Sequence, residues 1–156
     1  METPDYESWF RSYADAYTRS LGDTVEVDVI RGFYAATVLA LGVDGSVNAA
    51  NTAEPGFSDM LVQMYGFYKA VGVRRMAVDR VEVTPLYENH DRVQVFFAAD
   101  MVKPDGAAIT LRFDLVYLVQ RRAAGPAIFA FIAGDEMALY REHGLVDEHG
   151  QPVPRA

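Results

Sequence analysis

Apolar positions recur at intervals of three and four through residues 4–21. Tyr6, Trp9, Phe10, Tyr13, Ala16, Tyr17 and Leu21 make one stripe of an amphipathic helix. Thr3 is placed to cap it, Pro4 suits the first helical position, and Asp5 and Glu7 complement the positive end of the dipole. Gly22 stops it. A short second helix is expected over 23–32, capped by Asp23 with Val25, Val29 and Ile30 inward. On propensity alone the run Val25–Ile30 also suits a strand. Residues 34–50 read as a hairpin, with Tyr34–Leu41 outgoing, Asp44-Gly45 turning and Ser46–Ala50 returning. Beyond the Asn51–Gly56 breaker region, Phe57, Met60, Leu61, Met64, Tyr65, Phe67, Tyr68 and Val71 predict a third helix, closed by Gly72.

From residue 74 the period falls to two. Four strands are expected at 75–87, 92–103, 108–121 and 127–134, joined at Asn89-His90, Asp105-Gly106 and Ala124-Gly125-Pro126. Such short turns make antiparallel neighbours and hence a meander. A last helix spans Asp135–His143, capped by Asp135 and stopped by Gly144. If Asp105-Gly106 is a two-residue turn, Asp100 stands opposite Leu111 and Ala98 opposite Phe113. One sheet face then carries Gln94, Phe96, Ala98, Asp100, Leu111, Phe113, Leu115 and Tyr117. The other carries Val93, Val95, Phe97, Ala99, Met101, Arg112, Asp114, Val116 and Leu118. Both are largely apolar, so both are expected to be covered, one by helices and the other by a second subunit.

Composition narrows what such a fold does. The 156 residues suit one domain, read as 1–145 followed by a mobile tail at 146–156 with two prolines. Absent cysteine removes disulfides and thiolate chemistry. A formal charge of −8 argues against a nucleic-acid partner. No run approaches the roughly 20 apolar residues of a membrane span. Glu2, Asp5 and Glu7 are unlike a secretory leader, so a cytoplasmic protein is expected.

The order helix, helix, hairpin, helix, meander resembles the nuclear-transport-factor-2-like superfamily, in its SnoaL-like and ketosteroid-isomerase-like branch. The likeness is carried by Trp9-Phe10-Arg11-Ser12-Tyr13, Phe67-Tyr68-Lys69-Ala70 and Arg112-Phe113-Asp114-Leu115-Val116-Tyr117-Leu118. It implies an α+β cone with a cystatin-like fold: three N-terminal helices on a curved, mainly antiparallel sheet, then a short C-terminal helix. It also implies an apolar pocket and, commonly, a homodimer through the sheet face. Members of that superfamily include isomerases, cyclases, dehydratases, epoxide hydrolases and pockets without chemistry, so the fold alone selects no activity.

Tyr13 and Tyr17 lie one turn apart on the inner helical stripe. A phenol there can donate to a developing oxyanion, worth roughly 3–4 kcal/mol for one good donor, as a first-helix tyrosine does in the ketosteroid isomerases. Both also suit simple core packing. Asp100 is the most suggestive acid. In the register above it faces the pocket, where desolvation suits a general base; a one-residue slip returns it to solvent. Asp79 faces Asp100 if Asn89-His90 is also a two-residue turn. Arg112 and Asp114 read as an ion pair at a dimer contact, although epoxide hydrolases of this fold use such residues in the pocket.

Trp9, Tyr13, Tyr17, Met64, Tyr68, Phe96, Phe113 and Tyr117 are the candidate ligand-binding residues, with Asn48 and Asn51 at the mouth and Met60 and Met76 as further walls. The resemblance also supplies a negative. The stretch where ketosteroid isomerases carry their aspartate reads Ala35-Ala36-Thr37-Val38-Leu39-Ala40-Leu41 here. His90, His143 and His149 have no ligand-like spacing, so neither a metal nor a cofactor is expected. The leading expectation is a small hydrophobic ligand in an aromatic pocket. The alternatives are an isomerase, cyclase or dehydratase acting on a polyketide- or steroid-like ring through Asp100 and Tyr13 or Tyr17, and a dimerisation module.

Overall fold

The stripe of aromatic residues near the N-terminus folds against the concave side of one six-stranded sheet. The computed structural model describes residues 2–155. Helix α1 (Tyr6–Arg19) begins at Asp5, whose carboxylate accepts the Ser8 amide at 3.1 Å. Asp5, rather than Thr3, is therefore the cap. Helix α2 (Val27–Arg31) is a single turn that buries Ile30 and leaves Val29 exposed. Its expected N-terminal half is pulled away because the Ser20 hydroxyl accepts the Glu26 amide at 3.0 Å, and its β-branched residues hold a helix weakly.

Strands β1 (Tyr34–Gly42) and β2 (Val47–Asn51) form the expected hairpin. Helix α3 (Pro55–Val71) ends at Gly72, whose φ of +104° is left-handed. A side chain there would also strike the Val102 carbonyl and the Arg155 guanidinium. Strands β3 (Val73–Tyr87), β4 (His90–Val102), β5 (Ala108–Gln120) and β6 (Ala127–Ala133) form the meander. The sheet order is β2-β1-β6-β5-β4-β3, with the β1–β6 pair parallel and the other four pairs antiparallel among the described residues. Register shifts along β3, at Val73/Arg75, Val78/Arg80 and Pro85/Tyr87, add twist and curl the sheet into a cone. Helix α4 (Glu136–Glu142) is capped by Asp135, which accepts the Ala138 amide at 2.9 Å.

The β4–β5 register differs from expectation by one residue. Asp100 pairs with Thr110 and Phe97 with Phe113. The loop contains three residues, Pro104, Asp105 and Gly106, with Gly106 left-handed at φ +92° and the Lys103 amide bonded to the Ala107 carbonyl. That extra residue turns β4 over. Val93, Val95, Phe97, Ala99 and Met101 are buried on the inner face, and Phe96 and Asp100 go outside. The β3–β4 turn is likewise shifted, to Glu88-Asn89.

Two polar devices close the fold. Asp91, fully buried, accepts the Tyr6 hydroxyl at 2.7 Å and a two-point contact from Arg121 at 2.7 and 2.6 Å. This ties the start of α1 to β4 and to the end of β5. Residues 146–155, read from the sequence as part of the tail, run back over the fold. Leu145 and Val146 are buried, Val146 bridges to Pro152, and Arg155 donates to the carbonyls of Val102 at 2.7 Å and Lys103 at 3.1 Å.

Candidate functional site

Between the sheet's inner face and helices α1, α3 and α4 lies a cavity of about 160 Å³. Helical spacing brings Tyr13 and Tyr17 to it from α1 and Met64 and Tyr68 from α3. Strand alternation brings Phe113, Leu115 and Tyr117 from β5, with Met76, Phe97, Phe131 and Ala133 from neighbouring strands. Tyr34 enters from β1, and α4 closes the space with Glu136 and Tyr140. An adjoining surface cleft shares Met64, Tyr68, Glu136 and Tyr140. The mouth therefore lies on the α3–α4 seam.

The tyrosines are organised by contact. The hydroxyls of Tyr13 and Tyr34 are 2.7 Å apart and hydrogen-bonded. Tyr17 stacks on Tyr68 at 5.2 Å between ring centroids and meets Tyr65 edge-on at 4.9 Å. Burial raises the pKa of Tyr13, Tyr17, Tyr34, Tyr68, Tyr117 and Tyr140, so all remain phenols that donate rather than phenolates.

Glu136 is the one carboxylate that lines the cavity among the described residues, and no Lys, Arg or His accompanies it there. Desolvation raises its pKa. Its charge is felt at Tyr13, Tyr17, Tyr68, Tyr117 and Tyr140, where it reinforces burial in raising theirs. Among the described residues the Glu136 side chain has no hydrogen-bond or ion-pair partner, and neither do the hydroxyls of Tyr17, Tyr68, Tyr117 and Tyr140. No fully buried side-chain nitrogen or oxygen among the described residues lacks a partner. These five groups therefore present their polar atoms to open space, the cavity or its mouth.

Of the residues singled out from the sequence, Tyr13, Tyr17, Met64, Tyr68, Phe113 and Tyr117 are brought together here. Trp9 lies outside the lining and packs on Phe10 at 4.9 Å and Phe33 at 5.1 Å. Phe96 lies on the outer face with the Arg80 guanidinium 3.7 Å above its ring. Asp100, also outside and half exposed, accepts the Thr110 hydroxyl at 2.9 Å and faces Arg75 at 3.6 Å. Asp79, displaced by the β3 bulge, meets Arg112 at 3.4 Å instead of Asp100. Asp114 accepts Gln94 at 2.8 Å, so Arg112 and Asp114 pair across strands rather than with each other. Asn48 and Asn51 lie on β2, where Asn51 accepts the Ala53 amide in a turn. Met76 is a wall and Met60 is not. Tyr34, Phe97, Phe131, Glu136 and Tyr140 were not anticipated. The only local signal at Glu136 is an acid beside a helix cap, which dipole complementarity already explains.

Residues 3–136 match the model of a family described as NTF2-like protein (DUF6841). No curated protein matches the chain. Among solved structures it is similar to an NTF-2 like protein of unknown function from Shewanella oneidensis MR-1. Identity is 13% and the TM-score 0.61, covering 84% of this chain and 97% of that one. It is similar to an NTF2-like protein with a cystatin-like fold from Novosphingobium aromaticivorans at 11% identity and TM-score 0.61, covering 88% and 85%. Aln2 from a Streptomyces species gives 13% and 0.60, covering 90% and 99%. Likeness at such identity carries the fold alone.

Proposed function

This chain belongs to the NTF2-like family described as DUF6841, and on that premise we propose that its cavity binds a small hydrophobic molecule of single-ring size. The observation that carries the reading is an aromatic-walled space of about 160 Å³ onto which five polar groups open without protein partners. An apolar cavity of about 150 Å³ is large enough for benzene. Fused polyketide- or steroid-like rings exceed it. The walls supply apolar area, and Glu136 with the tyrosine hydroxyls supplies the few oriented polar contacts that fix a ligand. Titration with benzene and phenol, followed by aromatic chemical shifts, tests the reading. Saturable changes at the cavity tyrosines are expected, and an Ala133→Phe filling variant abolishes them. Titrations that leave the cavity tyrosines unmoved overturn it.

A second reading, acid–base catalysis, is favoured by one observation: a desolvated carboxyl of raised pKa shares the cavity with the hydrogen-bonded Tyr13–Tyr34 hydroxyls. Glu136 then takes the role expected of Asp100, moving a proton while a phenol stabilises the developing oxyanion. Loss of ring isomerisation or dehydration in Glu136→Gln, with Asp100→Asn unaffected, is its test. The outer sheet face is proposed as the place for a second copy, and a monomer by light scattering at micromolar concentration removes that proposal. No helix among the described residues is long and apolar enough to cross a membrane.

A further inference from the structure

We infer that the cavity is built for a small organic cation, an alkylammonium whose charge is met by the Glu136 carboxylate and by the faces of the surrounding tyrosines. The inference rests on the cavity-binding reading and names the chemistry of its ligand. Three features of the lining, each independent of the others, point the same way.

The first is a charge without a complement. A mostly buried carboxylate normally pairs with a base or accepts several hydrogen bonds, because desolvating it alone is costly. Asp91 in this same molecule is held that way by Arg121 and Tyr6. Glu136 has no hydrogen-bond or ion-pair partner among the described residues, and the lining contains no basic side chain. A ligand that enters with a positive charge completes it.

The second is the wall. Tyr17, Tyr68 and Tyr140, together with Tyr13, Tyr34 and Tyr117, surround the space. Aromatic faces carry negative potential, and a cage of them attracts ammonium groups that shed water easily. Tyr17 and Tyr68 stack at an interplanar angle of 24°, and Tyr68 also lines the cleft at the mouth.

The third is size. About 160 Å³ fits a trimethylammonium group with a short tail, and is small for the drug-sized ligands that fill pockets of about 300–1,000 Å³. A methylated ammonium satisfies both kinds of wall at once, with methyl groups against the rings and net charge toward Glu136. A neutral ligand of equal shape satisfies only the rings.

The experiment compares choline with its neutral isostere 3,3-dimethyl-1-butanol, and with benzene, by calorimetric and chemical-shift titration of the full chain at neutral pH. Saturable choline binding at the cavity tyrosines is expected, at least tenfold tighter than the alcohol. Glu136→Gln is expected to remove that tenfold preference, so that choline and the alcohol bind alike. Tyr68→Phe, which keeps the ring, is expected to retain choline, whereas Tyr68→Leu loses it. Should Glu136→Gln fail to fold, the Tyr68 pair and the isostere comparison decide the matter without it. Equal binding of choline and the alcohol overturns the cation inference, as does choline binding indifferent to Glu136→Gln. Benzene binding without choline binding also overturns it, while leaving the cavity reading intact. If choline, the alcohol and benzene all fail to perturb the cavity tyrosines, the cavity reading falls and the cation inference falls with it.

Discussion

Two carboxyls of this fold, Asp91 fully buried and Glu136 partly buried at the edge of the cavity, are treated in opposite ways. Asp91, between α1 and the ends of β4 and β5, receives every bond it needs: two from Arg121 and one from Tyr6, all within 2.7 Å. Those bonds, that of Arg121 first, outweigh desolvation and hold its pKa below the usual aspartate value. Glu136, at the seam of α4 and the cavity, receives none from the described residues, and burial pushes its pKa up. Placement follows role. A carboxylate that fastens elements is saturated by the protein, whereas one that faces the cavity is left with capacity to spare.

The largest effect expected from breaking this comparison is at Asp91. Asp91→Ala takes a two-point carboxylate contact from Arg121 and an acceptor from the buried Tyr6 hydroxyl, and is expected to cost about 3–5 kcal/mol in urea denaturation. A loss well below 1 kcal/mol makes the cluster ornamental. Tyr6→Phe removes the charge-assisted bond to Asp91 together with the hydroxyl's contact to Arg121 and keeps the ring, so about 1.5–3 kcal/mol is expected. Neither variant is expected to change benzene binding while the protein remains folded, since neither residue lines the cavity.

The two carboxyls also predict opposite pH dependences. The Asp91 contribution is complete above its ordinary value of 3.8 and is lost as pH falls through its lowered folded value. For Glu136 the native state keeps its proton longer than the unfolded chain does. Its presence therefore costs stability progressively as pH rises from its ordinary value of 4.5, levelling off above the raised folded value. The tyrosines that face it, Tyr13, Tyr17, Tyr68, Tyr117 and Tyr140, stay protonated throughout this window. Glu136→Gln is thus expected to gain on the wild type as pH rises from 4.5, the ordinary glutamate value, by urea midpoints. A difference that stays flat with pH breaks the contrast.

The fold was legible because its signals are periodic and redundant. The stripe from Tyr6 to Leu21 and the change to alternation near residue 74 each rest on many residues, so no single error moves them. Seven cavity residues followed, Met76 among them, because helical and strand phase place Tyr13 with Tyr17 and Phe113 with Tyr117. What was not legible depended on single residues. Asp105-Gly106 suits a loop of two residues or of three, and the whole inner face of β4 turns on which forms; Gly106 is left-handed and Asp105 is not, as the three-residue loop requires. Glu136 was invisible for another reason. Beside the Asp135 cap its local role was already complete, and only the return of α4 across the cone brings it to the tyrosines.

Asp100 supplies the smallest effect and separates the two registers. Under a two-residue turn it is the cavity acid, and Asp100→Asn disturbs ligand binding. Under the register of the structure it stands on the outer face, opposite Thr110 and 3.6 Å from Arg75, with both charged side chains about half exposed or more. An exposed pair of this kind contributes about 0–1 kcal/mol, most of it screened by salt. Asp100→Asn is therefore expected to shift the urea midpoint only slightly, less at high salt than at low, and to leave benzene titration of the cavity tyrosines unchanged. If that substitution moves binding while Glu136→Gln does not, β4 is turned the other way. The contrast then holds between Asp91 and Asp100 instead, since the free carboxyl of the cavity would belong to the strand rather than to α4.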